Sequence, residues 1–205
     1  MRQNMSGLAK MAKVIAVGVS LSCLYGPSYA IDVKLDDAAI KSAIEAGKQV
    51  KDVKSMPTPR FGADLSKDLC GGGGEIRTKT FTLQRLGAVI AADPERFERE
   101  KDQAQHAIEK AAEAKDLKIT FDFCGDTVDF AEDAQATLEQ DGRMIKGEMA
   151  KPDKARKNPE GPAYRGKITA SFAYGSFDPV APTKITLYPK IGDAMTWDVD
   201  LSTIK

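Results

Sequence analysis

The chain has 205 residues, with 30 Lys and Arg against 30 Asp and Glu, 42% hydrophobic positions and 29% charged ones. That composition belongs to an ordinary globular protein and excludes a disordered or fibrous chain. With no basic excess, it also excludes bulk attraction to nucleic acid.

The first thirty residues have the order of a secretory signal peptide. Arg2, Lys10 and Lys13 precede an apolar run from Val14 to Leu24, and Pro27 leads to a small-residue end at Ser28 to Ala30. The run is too short to span a bilayer, which needs about 20 residues, and no later stretch is long and apolar enough to do so. The expectation is a periplasmic or secreted chain beginning at Ile31 after cleavage near Ala30, with no transmembrane helix. A lipid-anchored alternative would cleave before Cys23, but Ser20 stands where lipoprotein signals usually carry Leu. Removing residues 1–30 leaves 27 basic and 30 acidic residues, a formal charge of −3, on a mature chain long enough for one full core.

Asp36 and Asp37 are caps for a helix to about Val50, with a thin apolar stripe of Ile40, Ala43, Ile44 and Gly47. Residues 51–68 carry two prolines and no sustained period, and read as a linker. Residues 31–68 are thus expected as an N-terminal helix and linker, and 69–205 as a helix pair with an antiparallel β domain that forms one core with the N-terminal helix. Next comes LCGGGGEIRT, Leu69 to Thr78. The four glycines lack the Gly-Lys-Ser/Thr ending of a phosphate loop and the third glycine of a dinucleotide site. They read as a flexible link beside a disulfide anchor. Once Cys23 leaves with the signal, Cys70 and Cys124 remain as a pair in a compartment that permits disulfides.

A short strand is expected at EIRTKTFT, then a helix capped by Thr82 with Leu83, Leu86, Val89 and Ile90 on one face. Asp93 followed by Pro94 restarts a helix to about Ala114, with Phe97, Ala104, Ile108 and Ala111 along one side. From Leu117 the period changes from helical to alternating. Leu117, Ile119, Phe121 and Phe123 share one face of a strand, and TVDF, Thr127 to Phe130, repeats the alternation. Asp141 and Gly142 form a two-residue hairpin turn. Strands follow around Ile168 to Tyr174, Ile185 to Leu187 and Trp197 to Leu201. The expected fold class is α+β: N-terminal helices packed on an antiparallel β-sandwich or small barrel of six to seven strands.

No constellation for catalysis or metal binding stands out, and no cofactor is expected. His106, the single histidine, falls opposite the apolar stripe of its helix and reads as a surface residue. Seven acids, Asp122, Asp126, Asp129, Glu132, Asp133, Glu139 and Asp141, occupy a stretch without Lys or Arg, but their spacing is not that of the twelve-residue calcium loop. Residues 151–167 are locally basic, with six Lys or Arg against Asp153 and Glu160. In this long connection Lys154, Arg156, Lys157, Tyr164 and Arg165 are the candidate contact for an anionic surface.

The sequence therefore suggests an exported binding or interaction module of the bacterial envelope, without catalysis of its own. Its expected partner is an envelope protein or an anionic surface polymer rather than nucleic acid. Two alternatives stand beside it: a carboxylate-based hydrolase of an envelope polymer drawing on the acids from Asp122 to Glu139, and a structural subunit that assembles through a sheet edge.

Overall fold

The computed structural model describes residues 31–63, 70, 72–159 and 161–204. The expected signal peptide, its Cys23 alternative and linker residues 64–68 lie outside the described residues.

Helix α1 (Asp37–Lys48) starts where the Asp36 carboxylate accepts the Ala39 N–H at 2.7 Å. Asp37 in its first turn and Lys48 in its last complement the helix dipole. A 3-10 turn at Val53–Ser55 leads to β1 (Arg60–Gly62), a short strand within the expected linker, held by the buried Phe61. Strand β2 (Gly73–Arg77) pairs antiparallel with β1 and leads into α2 (Lys79–Ala92). The cap of α2 is Thr78, whose hydroxyl accepts the Phe81 N–H at 3.0 Å, rather than Thr82, whose hydroxyl donates to the Thr78 carbonyl. Asp93 caps α3 (Pro94–Arg99) with Pro94 at the first helical position, and α4 (Lys101–Ala112) completes the helical layer.

Strands β3 (Asp116–Gly125), β4 (Gln135–Gln140), β5 (Arg143–Lys146), β6 (Glu148–Met149), β7 (Arg156–Lys157), β8 (Tyr164–Ala173), β9 (Pro182–Tyr188) and β10 (Met195–Asp200) follow. They form two antiparallel sheets. The first has the order β1-β2-β3-β8-β6, with β7 also on β8, and the second β10-β9-β4-β5. The fold is α+β with a sandwich-like arrangement of the sheets. The expected strand count is exceeded because β1, β6 and β7 are edge segments of two or three residues, too short to show alternation in a sequence.

Alternation along β3 sends Leu117, Ile119, Phe121 and Phe123 into the core, where they meet Leu138 of β4, Phe172 of β8, and Ile185 and Leu187 of β9. Phe61, Phe121 and Trp197 bring the two sheets together, with ring centroids 5.3 to 6.0 Å apart. Edge-on and offset contacts of this kind stabilise beyond the area they bury. The TVDF segment does not extend β3. It turns, and Phe130 folds back onto Phe123 with centroids 4.8 Å apart. The Asp141-Gly142 hairpin joins β4 to β5 as expected, with both residues at positive φ, the conformation of the tight primed turn.

The glycines after Cys70 are not a flexible link where they are described. Gly73 and Gly74 are buried residues of β2, and a Cβ at Gly74 would lie 2.3 Å from the Thr120 carbonyl oxygen of β3. Glycine serves here for close approach of backbones rather than for flexibility. The helices use it likewise. Cβ atoms at Gly47 of α1 and Gly87 of α2 would lie 1.9 and 2.1 Å from backbone oxygens of Gln84 and Ile44 on the opposite helix. That close crossing supports a smaller second core of Ala43, Leu83 and Ala111. The expected disulfide is present. Cys70 and Cys124, 54 residues apart, are bonded with their Cα atoms 5.2 Å apart, joining the segment before β2 to the end of β3.

Candidate functional site: a cationic depression on the first sheet

The alternation that buries the aromatic side of β3 turns Lys118, Thr120, Asp122 and Cys124 to the opposite face. On β8 their register partners are Ser171, Thr169, Lys167 and Arg165. On β2 the residue opposite Asp122 is Gly73, so no side chain separates Asp122 from Arg60 on β1.

Asp122 has no exposed surface although it lies on the polar face. Three cations cover it. Lys167 Nζ donates to Oδ2 at 3.1 Å, Arg165 Nη2 lies 3.5 Å from Oδ1, and Arg60 Nη2 lies 3.8 Å from Oδ2. Among the described residues Oδ1 accepts no hydrogen bond, and Arg165 acts on it by charge. The three cationic side chains remain partly exposed. Their apolar stems shield the carboxylate while their heads reach water. One buried negative charge thus gathers three positive ones.

The basic loop is folded down onto this face. The Ala150 and Asp153 amides donate to the carbonyls of Thr169 and Lys167, and β7 pairs with β8, placing Arg156 opposite Arg165 and Lys157 opposite Tyr164. Like charges directly opposite are unfavourable in a sheet, and the Asp122 carboxylate beside Arg165 offsets the repulsion. The result is a depression of about 700 Å³ lined by Asp153, Lys154, Arg156, Arg165 and Lys167. The Asn158 side chain, just past β7, donates to Cys70 Sγ at 3.1 Å, and Cys124 lies opposite Arg165, a residue that lines the depression.

Of the five residues that the sequence nominates, Lys154, Arg156 and Arg165 line the depression. Lys157 and Tyr164 share the opposite strand phase, and Tyr164 is half-buried against the core. Arg60, Asp122 and Lys167 complete the group but were not nominated for it. Asp122 was legible as a polar-face residue of β3. Its cationic partners come from strand register, which spacing along the chain does not reveal.

The acidic stretch disperses over three surfaces. Asp122 belongs to the cationic group, and Asp126, Asp129, Glu132 and Asp133 lie in the turns before β4, where Asp133 pairs with Lys190 at 3.1 Å. A side-chain hydrogen bond from Thr127 is the main cause holding the Asp129 carboxyl below its ordinary range. Glu139 and Asp141 line a depression on the second sheet with Lys184, Asp198 and Asp200. Among the described residues no group of three or more His, Cys, Asp or Glu has the geometry to hold a metal ion.

Compared with known protein families, with curated proteins and with solved structures, the chain finds no match.

Proposed function

We propose that the protein is an exported binding module of the bacterial envelope, without catalysis of its own, which meets an anionic surface polymer or an acidic envelope protein through the depression on the first sheet. The observation that carries this reading is the charge imbalance of that surface. Among the described residues that line it, Lys154, Arg156, Arg165 and Lys167 stand against Asp153, and the Asp122 carboxylate lies beneath Arg165 and Lys167. A concave surface with a local excess of one sign concentrates counter-ions and speeds the encounter with an oppositely charged partner. Asp122 holds three cations together on this face and so stabilises the fold there, while its own charge offsets one unit of the local excess.

The Cys70–Cys124 disulfide supports export, since such bonds persist in oxidising compartments. Among the described residues no helix is long and apolar enough to cross a membrane.

Retention of the full chain on an envelope fraction tests the proposal. Wild-type protein should be retained at low ionic strength and released as salt screens the contact. Lys154→Glu with Arg156→Glu should abolish retention, whereas Lys157→Glu, outside the depression, should change it little. Equal retention of all three proteins at low salt would remove the depression from consideration.

A further inference from the structure

A second concavity lies between the start of α2, the last turns of α4 and the start of β3, away from the cationic depression. It is a crevice of about 680 Å³, within the usual range for small-molecule sites. Its walls combine apolar surface from Leu86, Ala107 and Ala111 with two polar groups that lack full partners.

The first of these is the Lys79 ammonium. Lys79 is only 8% exposed, and its Nζ donates to the Val33 carbonyl at 2.9 Å and lies 5.0 Å from the Tyr174 ring centroid. Among the described residues no carboxylate lies within ion-pairing distance of it, although a buried ammonium ordinarily has one. One carbonyl uses one of its three N–H donors. The second group is the Tyr174 hydroxyl, a buried oxygen whose O–H finds no acceptor among the described residues. Burial is the main cause that pushes this phenol up to about 12, so it remains a neutral O–H at physiological pH. The Lys79 backbone amide faces the phenol, as the first N–H of α2, and Asp32 and Asp116 act on it from nearby. Asp32 is engaged by the Thr80 hydroxyl at 3.2 Å.

Spare donors therefore converge beside an apolar wall at the positive end of a fourteen-residue helix. We infer that this crevice binds a small organic acid, its carboxylate taken by Lys79 Nζ and the Tyr174 hydroxyl and its apolar body lying along Leu86, Ala107 and Ala111. The carboxylate supplies the missing counter-charge for Lys79 and the missing acceptor for Tyr174. The apolar body covers the alanine-rich side of α4. This site stands independently of the cationic depression.

Calorimetric titration of the full chain with octanoate, and with 1-octanol as the uncharged analogue, tests the assignment. Octanoate should bind saturably at one site and octanol at least about tenfold more weakly, the difference expected of a charge-assisted contact. Lys79→Met should weaken octanoate by about tenfold or more without affecting octanol, and Tyr174→Phe by about two- to tenfold. Ala107→Trp, which fills the crevice, should abolish binding and keeps the test open if Lys79→Met fails to fold. Absence of saturable octanoate binding would overturn the inference. So would equal affinity for octanol, or an unchanged affinity in folded Lys79→Met.

Discussion

Replacing Asp122 by Asn separates the two roles assigned to this carboxylate, because it keeps the shape and removes the charge. Asp122 is fully buried beneath Lys167 at 3.1 Å, Arg165 at 3.5 Å and Arg60 at 3.8 Å. Breaking a buried ion pair by removing one partner typically costs about 3–5 kcal/mol, since a charge is left unpaired in a dry site. Here the three cations are partly exposed and can turn to water, which lowers the cost towards that of one charge-assisted hydrogen bond, about 1.5–3 kcal/mol. We expect a loss of about 2 kcal/mol. Urea unfolding followed by circular dichroism would read this as a midpoint lowered by about 1 M, for a slope of roughly 2 kcal/mol per molar. The same substitution makes the depression more positive by one charge, so retention on anionic envelope material should strengthen at low salt while stability falls. An unchanged midpoint would refute the view that Asp122 organises the cations. Weakened retention in a folded variant would refute the view that excess charge drives binding.

Three further predictions follow from the fold. Reducing the Cys70–Cys124 bond, or replacing both residues by Ala, releases a closure of 54 residues; loop entropy sets the loss at up to about 4 kcal/mol, measurable as the difference in urea midpoint with and without reductant. Gly74→Ala would place a Cβ 2.3 Å from the Thr120 oxygen and should cost about 2 kcal/mol or more by forcing β2 from β3, whereas Gly175→Ala meets no atom within 4 Å and should cost about 1 kcal/mol from its φ of +92° alone; comparison of thermal midpoints decides between them. Tyr174, raised from 10.0 to about 12, gives stability that is whole below pH 10 and is lost as pH rises to about 12, because the unfolded chain releases the proton first. The loss amounts to roughly 2–3 kcal/mol and should be absent from Tyr174→Phe in urea titrations across that range. Lys79, whose pKa burial lowers, works in the opposite direction, so the comparison must be made between these two proteins rather than within one pH series.

The elements most legible in the sequence were those whose signal is local. The alternation from Leu117 to Phe123, the Asp141-Gly142 turn and the Asp93-Pro94 helix start each rest on a few neighbouring residues, and each takes the expected form. The disulfide was legible by counting, because removal of Cys23 leaves one possible pair. Features determined by register were not legible. Nothing in the spacing of Arg60, Asp122 and Lys167 along the chain indicates that three strands place them together. Gly73 and Gly74 carry the composition of a loop, yet β1 approaches the backbone of Gly73, and β3 that of Gly74, so closely that only glycine fits. Tyr164 and Arg165 were nominated as parts of one basic connection, and strand alternation sends the two to opposite faces. Lys79 and Tyr174, 95 positions apart, meet only through the docking of α2 beside the end of β8.

On the proposed function an anionic partner sits on the polar face of the first sheet. Amide hydrogen exchange of the full chain, with and without a solubilised anionic envelope polymer at low salt, locates that contact directly. Exchange should slow at Asp153–Asn158, Arg165–Lys167 and the neighbouring β1, with the second sheet unchanged and the protection lost in Lys154→Glu, Arg156→Glu protein. Protection confined to the second sheet, or protection at the depression that survives the charge reversal, would contradict it.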